Sequence, residues 1–352
     1  LSNSQYAKYV LAATDATLTA PAGATVTTSV GGYEVEYVDG KYIAVPIVRV
    51  AKIGDVEYKT LAAAIAAAKA GDTITFLTNI TEDVTVNKDL TIDGAEKTYT
   101  GNISVEGSTV DAIVKNVNFV DGTGYAITTN RIKSITVENC TAKNYGYGFL
   151  YANKSTPTVV VKNVTVENCN YGFHYVYGST ATLENVTMTN VVNGLYIQNY
   201  ASKTVTLKDC TISSIAIWER ENSSGVQTFN FAGANTVGTL SDSQYAKYIL
   251  TAEDATLSAP EGATVATTVA DREVERIEGV YAVVPIVRVA QIGETKYKTL
   301  AAAIAAAQAG ETITFLTDIT ENVTVNKDLT IDGAGKTYTG NISVEGSTVD
   351  AI

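Results

Sequence analysis

The side chains that could do chemistry are few and scattered. His174 is the single histidine among 352 residues, which excludes His-based metal centres and Ser-His-Asp triads. Alternation within Gly172-Phe173-His174-Tyr175 turns His174 outward between inward Phe173 and Tyr175, and the sequence identifies no partner that would orient it as a base. Cys140, Cys169 and Cys210 have no metal-type spacing and read as small, buried free thiols that follow one stacked column. Inverting hydrolysis needs two carboxylates across a cleft. Here Glu138 and Glu167 share one outward column beside Thr189 and Lys208, while Asp93 and Asp111 are isolated, so these charges read as solvated faces. Gly333-Ala334-Gly335-Lys336-Thr337 has the end of a phosphate loop without its spacing, on a stretch whose residues 328–332 read as a strand. Tyrosine is the abundant type, at 21 residues. Tyr125, Tyr151 and Tyr175 fall in inward columns. Tyr145, Tyr147, Tyr171, Tyr177 and Tyr200 lie in turns and form a candidate strip for stacking a sugar or docking a protein. No residue is assigned to catalysis, to a cofactor or to a metal.

The elements that must position these groups are set by an internal repeat. Residues 240–352 align without a gap on residues 1–113, with 26 differences, 21 of which fall in residues 1–57. The chain therefore holds about one and a half copies of a 239-residue unit, the reading expected of a window in a longer tandem array. Residues 1–57 carry short β-type runs, with Asp39-Gly40 as a hairpin signal that becomes Glu278-Gly279 in the second copy. Thr60 then caps an alanine-rich helix over 60–70, with Leu61 and Ile65 on one face and Gly71 as its stop. The expected division is a β-rich connector at 1–57, a β-helix with its capping helix at 58–239, a second connector at 240–296 and the start of a second β-helix at 297–352. The second connector is expected to pack on the coil that contains Cys210.

A shorter period runs through the middle. VNFVDG (117–122), ITVENC (135–140), VTVENC (164–169), VTMTNV (186–191) and VTLKDC (205–210) are variants of one hexamer, and GYAI, GFLY, GFHY and GLYI follow the first four at spacings of 22 to 24. Two strand motifs per period of about 22 residues is the pattern of a parallel β-helix, an all-β solenoid in which equivalent residues stack from coil to coil. Asn139, Asn168, Asn190 and Asp209 align as one ladder at one bend. The outward threonines form a single file rather than the Thr-X-Thr of an ice-binding face, and the sequons arise from N-V-T strand composition.

The coil pattern resembles the right-handed parallel β-helix of the pectate-lyase-like superfamily. YKTLAAAIAAAKAGDTITFLTNI and VTVNKDLTIDGAEKTYTG resemble segments of tandem-repeat surface proteins of Gram-positive anaerobes, in which a short helix covers the first coil and a small β-rich connector follows the last. Arg131-Ile132-Lys133 coincides with a tripeptide of polygalacturonase-type hydrolases, but that family's Asn-Thr-Asp, Asp-Asp and Gly-His-Gly motifs are missing. The resemblance implies an extracellular, cell-surface setting and a non-enzymatic fibre, stalk or coat, whose partners are neighbouring copies of the same repeat. The alternatives are a carbohydrate- or host-binding adhesin that uses the Tyr-rich loops, with glycans as partners, and a polysaccharide lyase or hydrolase. A net charge of −12 argues against nucleic acid, and no apolar run reaches the roughly 18 residues of a membrane-spanning helix.

Overall fold

The computed structural model describes residues 7–153, 156–175, 178–346 and 349–352. Strands stack in parallel at offsets of 22 to 24 residues: Ala112 lies beside Ile135, Ile135 beside Val159, Val159 beside Ala181, and Ala181 beside Val205. The chain is a right-handed parallel β-helix, and the coils from Thr73 to Trp218 have three faces. The third face is a separate seven-stranded sheet, from Val84–Val86 through Tyr125–Asn130, Gly148–Asn153, Tyr171–Tyr175 and Asn193–Gln198 to Ile215–Trp218. Parallel strands with an enclosed core need continuous apolar columns. The interior supplies them, and a file of rings, Phe76, Tyr99, Phe119, Phe149 and Phe173, runs from coil to coil at centroid spacings of 5.7–6.1 Å.

Four successive coils turn at two bends, five residues apart, the first between the first and second faces and the second at the end of the second face. Asn116 and Asp121, Asn139 and Asn144, Asn163 and Asn168, and Asn185 and Asn190 all have φ between 52° and 59°. That left-handed backbone costs most residues about 1–2 kcal/mol but is visited readily by Asn and Asp. The carboxamides link the coils in two ladders. In one, Asn139 donates to Asn116 (3.4 Å), Asn163 to Asn139 (2.9 Å) and Asn185 to Asn163 (3.0 Å). In the other, Asn144 donates to Asp121 (2.9 Å), Asn168 to Asn144 and Asn190 to Asn168 (both 3.1 Å).

The single ladder expected from the hexamers is therefore corrected. Asn139 and Asp209 belong to the first bend, and Asn168 and Asn190 to the second. Asp209 has no amide N–H to pass on; its carboxylate accepts from the backbone N–H of Ala234 at 2.9 Å. The cysteines divide in the same way: Cys140 shares a column with Val164 and Val186, whereas Cys169 follows the second bend. All three are buried and free.

The capping helix is Leu61–Ala67, shorter than the expected 60–70. Thr60 Oγ1 accepts from Ala63 N at 3.0 Å, and the Glu82 carboxylate accepts from Leu61 N and Ala62 N (2.9 and 3.1 Å). Lys88 Nζ donates to the carbonyls of Ala66 and Ala68, and Asp72 accepts from Lys69 N at 2.7 Å, so the chain leaves the helix before Gly71. Coil side chains of the right sign thus satisfy both helix ends. Glu321 and Lys327 do the same for Leu300–Ala306.

The second connector continues the solenoid. Ala246–Leu250 pairs in parallel with Gln227–Ala232, Thr256–Ser258 with Ala234–Val237, and Val265–Thr267 with Ala246–Leu250. One coil, 227–237, therefore intervenes between the connector and the coil of Cys210, correcting the expected direct contact. The hairpin Arg272–Ile277/Val280–Pro285 closes the stack through antiparallel pairing with Thr256–Ser258. Glu278 and Gly279 both take positive φ at its turn. The second β-helix begins with a core of its own around Ala290, Leu300, Ile304, Ile313, Phe315 and Val323.

Candidate functional site

The third face carries the densest cluster of functional side chains. Pairing places Tyr151, His174 and Tyr196 in one outward column, and Tyr125, Gly148 and Tyr171 in another. Gly148 is the reason the two columns merge. A Cβ there would lie 2.3 Å from the Tyr171 carbonyl oxygen, so the coil is bare at that position. Tyr125 lies across the gap, stacked on Tyr151 (5.1 Å, 18°) and on Tyr147 (5.8 Å, 18°). Its hydroxyl reaches His174 Nδ1 two coils away, at 2.7 Å. Tyr171 stacks on His174 at 5.0 Å, and Tyr196 meets both rings edge-on at 5.4 and 5.2 Å.

Burial sets the protonation states. Desolvation pushes the Tyr125 phenol far above its ordinary range, with Tyr171, Tyr151 and Tyr147 adding to it, and holds His174 below the usual histidine value. The Tyr125 hydroxyl and a neutral imidazole thus share one hydrogen bond at Nδ1, its donor set by the ring tautomer. The other ring nitrogen, Nε2, is buried and has no hydrogen-bond partner among the described residues. The tyrosine is thus an orienting partner for His174 that the sequence did not reveal.

The expected strip divides. Tyr147 is 59% exposed, and Tyr171 is half-buried within the cluster. Tyr200 lies beneath Arg220, whose guanidinium is 4.6 Å from the ring centroid and donates to the phenol oxygen. Tyr177 lies outside the described residues. Tyr145 is corrected: it is 2% exposed, and its hydroxyl donates to the Gly101 carbonyl at 2.9 Å. Gly122 makes room for this ring, because a Cβ there would lie 2.1 Å from Tyr145 Cε1.

Tyr125 and Tyr151, expected inside, face outward. Stacking GYAI on GFLY assumes an offset of 24, whereas Tyr125 pairs with Gly148 at an offset of 23, and one residue of slip exchanges the faces. The same slip gives His174 the neighbour Tyr151 in place of Leu150. For Tyr125 the legible signal was the ladder, since Asp121 to Asn144 spans the same 23 residues as Tyr125 to Gly148. For His174 it was not, because Asn144 to Asn168 spans 24 residues while Tyr151 pairs with His174 at 23.

The carboxylates are ordered by the same correction. Glu138, Lys162, Glu184 and Lys208 form one outward column, while Glu167 lies beside Lys143 in another. Lys208 and Lys162 hold the Glu184 carboxyl below its usual range, at 2.7 and 3.3 Å. Lys133 is paired with Asp111 at 2.5 Å, and Ser134 donates to the same carboxylate. Among the described residues, no three His, Cys, Asp or Glu side chains are grouped to hold a metal ion.

Residues 101–244 match the family model described as a right handed beta helix region, a span that contains the whole aromatic cluster. No curated protein and no solved structure matches the chain.

Proposed function

We propose that the chain is a structural part of a tandem-repeat surface protein of the Gram-positive anaerobe type, non-enzymatic and displayed outside the cell, in which β-helix modules run head to tail as a fibre, stalk or coat. The observation that carries this reading is the joint between connector and next module, which is built twice in the same way. Ile47 N donates to Gly32 O (2.9 Å) as Ile286 N does to Asp271 O (3.2 Å). Val50 N donates to Tyr58 O and Leu77 N to Val50 O; Val289 with Tyr297 and Leu316 with Val289 repeat both bonds. Lys59 pairs with Glu34, and Lys298 with Glu273. The surrounding connector residues differ at many positions, yet Pro46-Ile47-Val48-Arg49-Val50 recurs unchanged as Pro285-Ile286-Val287-Arg288-Val289. A joint with fixed backbone pairing transmits direction from one solenoid to the next, and reach is what a stack of solenoids supplies.

Small-angle scattering tests the rod. The chain should give one extended, narrow distance distribution, and a Gly-Ser insertion between Pro285 and Ile286 should broaden it. A native distribution as broad as the insertion variant's would overturn the structural reading, and reducing ends released from pectin-like polymers would overturn the non-enzymatic one. The adhesin reading stands second, and the converging rings of the third face are what favour it.

A further inference from the structure

The third face gathers rings from four coils on a patch where, among the described residues, no ionised side chain shifts the titration of Tyr125, Tyr151, His174 or Tyr196. The shifts of Tyr125, Tyr151, His174 and Tyr196 arise from burial and from other tyrosines alone. Neutral polar groups flank the rings: Asn102, whose Nδ2 donates to the Tyr125 carbonyl at 2.9 Å, and Thr128, which donates to Asn102 Oδ1 at 3.2 Å. Tyr147 is backed by Tyr125 on one ring face and is 59% exposed, so its other face is open. Tyr125 is itself fixed by Tyr151 and by His174, so the platform is ordered before anything binds.

An aromatic face with amide and hydroxyl neighbours matches the C–H face of a pyranose, whose hydroxyls project at its rim. The spacing of coils, about 4.8 Å, is comparable to the length of one hexose unit, so a linear polymer laid along the axis keeps register with successive rings. The net charge of −12 repels polyuronates and other polyanions. We propose that this face binds a neutral, unbranched polysaccharide, with one hexose on the open face of Tyr147 and the next units passing Tyr171 and Tyr196. This rests on the adhesin reading of the third face. The rod requires no ligand, so loss of glycan binding leaves the scattering test untouched.

The test is titration calorimetry on the full chain with cellohexaose, chitohexaose, mannohexaose and oligogalacturonate. At least one neutral hexasaccharide should bind and oligogalacturonate should not. Tyr147→Ala should lower the affinity at least tenfold, Tyr147→Trp should retain it, and Tyr37→Ala, on the first connector, should leave it unchanged. Binding by none of the three neutral oligomers would overturn the proposal. So would tighter binding of oligogalacturonate, or equal affinity of Tyr147→Ala and the native chain at matched thermal stability.

Discussion

Residues 7–46 and 246–285 are one module in two environments. In the second copy, the module lies on coil 227–237: Tyr248 is 5% exposed, and Leu250, Ala255 and Leu257 are fully buried in the main core. In the first copy, the strand Tyr9–Leu11 pairs only with Val26–Thr28, and no coil of this chain lies against its outer edge among the described residues. There Tyr9, Ala16 and Leu18, the counterparts of Tyr248, Ala255 and Leu257, are all partly exposed, and Val10 is 50% exposed. The hairpin persists in both copies, with the same pairing and the same positive-φ turn. The difference teaches that the hairpin folds on local information, whereas the parallel strands are a lid. Their apolar side is completed by the coil beneath it.

The comparison breaks most visibly by deletion. Removing residues 240–352 would uncover Phe229, Phe231 and Val237, which are now 1% exposed or less, together with the unpaired edge of Gln227–Ala232. An open solenoid end of this kind is an aggregation template. That truncation is expected to aggregate more than the native chain, whereas a chain lacking residues 1–46 should elute from size-exclusion chromatography with the same fraction of monodisperse protein as the native chain. Equal aggregation of the two truncations would dissolve the distinction between lid and free module.

A single side chain sharpens it. The one tryptophan, Trp218, reports on the solenoid beneath the second connector. Leu257→Ala removes a fully buried side chain from that core and should cost about 2–5 kcal/mol, read as a lower urea midpoint of Trp218 fluorescence. Leu18→Ala makes the equivalent change outside that core and should leave the Trp218 midpoint in place. A shift with Leu18→Ala as large as with Leu257→Ala would show that the two modules share one cooperative unit.

The parts of this architecture legible in the sequence were those with a period or a cap. The 239-residue repeat, the Thr60 cap, the Asp39-Gly40 turn and the solenoid itself follow from spacing and residue type. What escaped was register. The segment VVVKNVTVEN (159–168) carries the hexamer pattern twice within one coil, because Asn163 and Asn168 each turn the chain. Aligning hexamers by resemblance merged two bends into one. The irregular steps of 18, 29, 22 and 19 residues between hexamers were the trace of that merger. The aromatic face was missed for a related reason. Whether Tyr125 points in or out depends on a one-residue offset against Gly148, and whether Tyr145 is buried depends on Gly122 in the preceding coil. Both are facts about neighbouring coils that the local sequence does not carry.

The smallest expected effect is a pH dependence that only the covered module supplies through Tyr248. Burial raises this phenol above its ordinary value near 10, Asp242 adds to the rise, and the hydrogen bond from its hydroxyl to the Ser241 carbonyl (2.8 Å) opposes it in part. A folded-state pKa above the unfolded one means that the unfolded chain loses its proton first. The contribution is therefore complete below pH 10 and declines as the pH rises above it. Tyr99 and Tyr145 shift in the same direction, so the native chain should lose stability steeply under alkali. Lys203 works the other way: burial lowers it from 10.5 to about 8, so its contribution grows between those values and is constant above them. The clean window is thus pH 10.5 to 11.5. Across it, Tyr248→Phe should begin slightly less stable, by about 1 kcal/mol for the lost hydrogen bond, and should then lose less urea midpoint than the native chain. Parallel declines in the two proteins would mean that the Tyr248 phenol ionises as freely folded as unfolded, and that the second connector does not seal its coil.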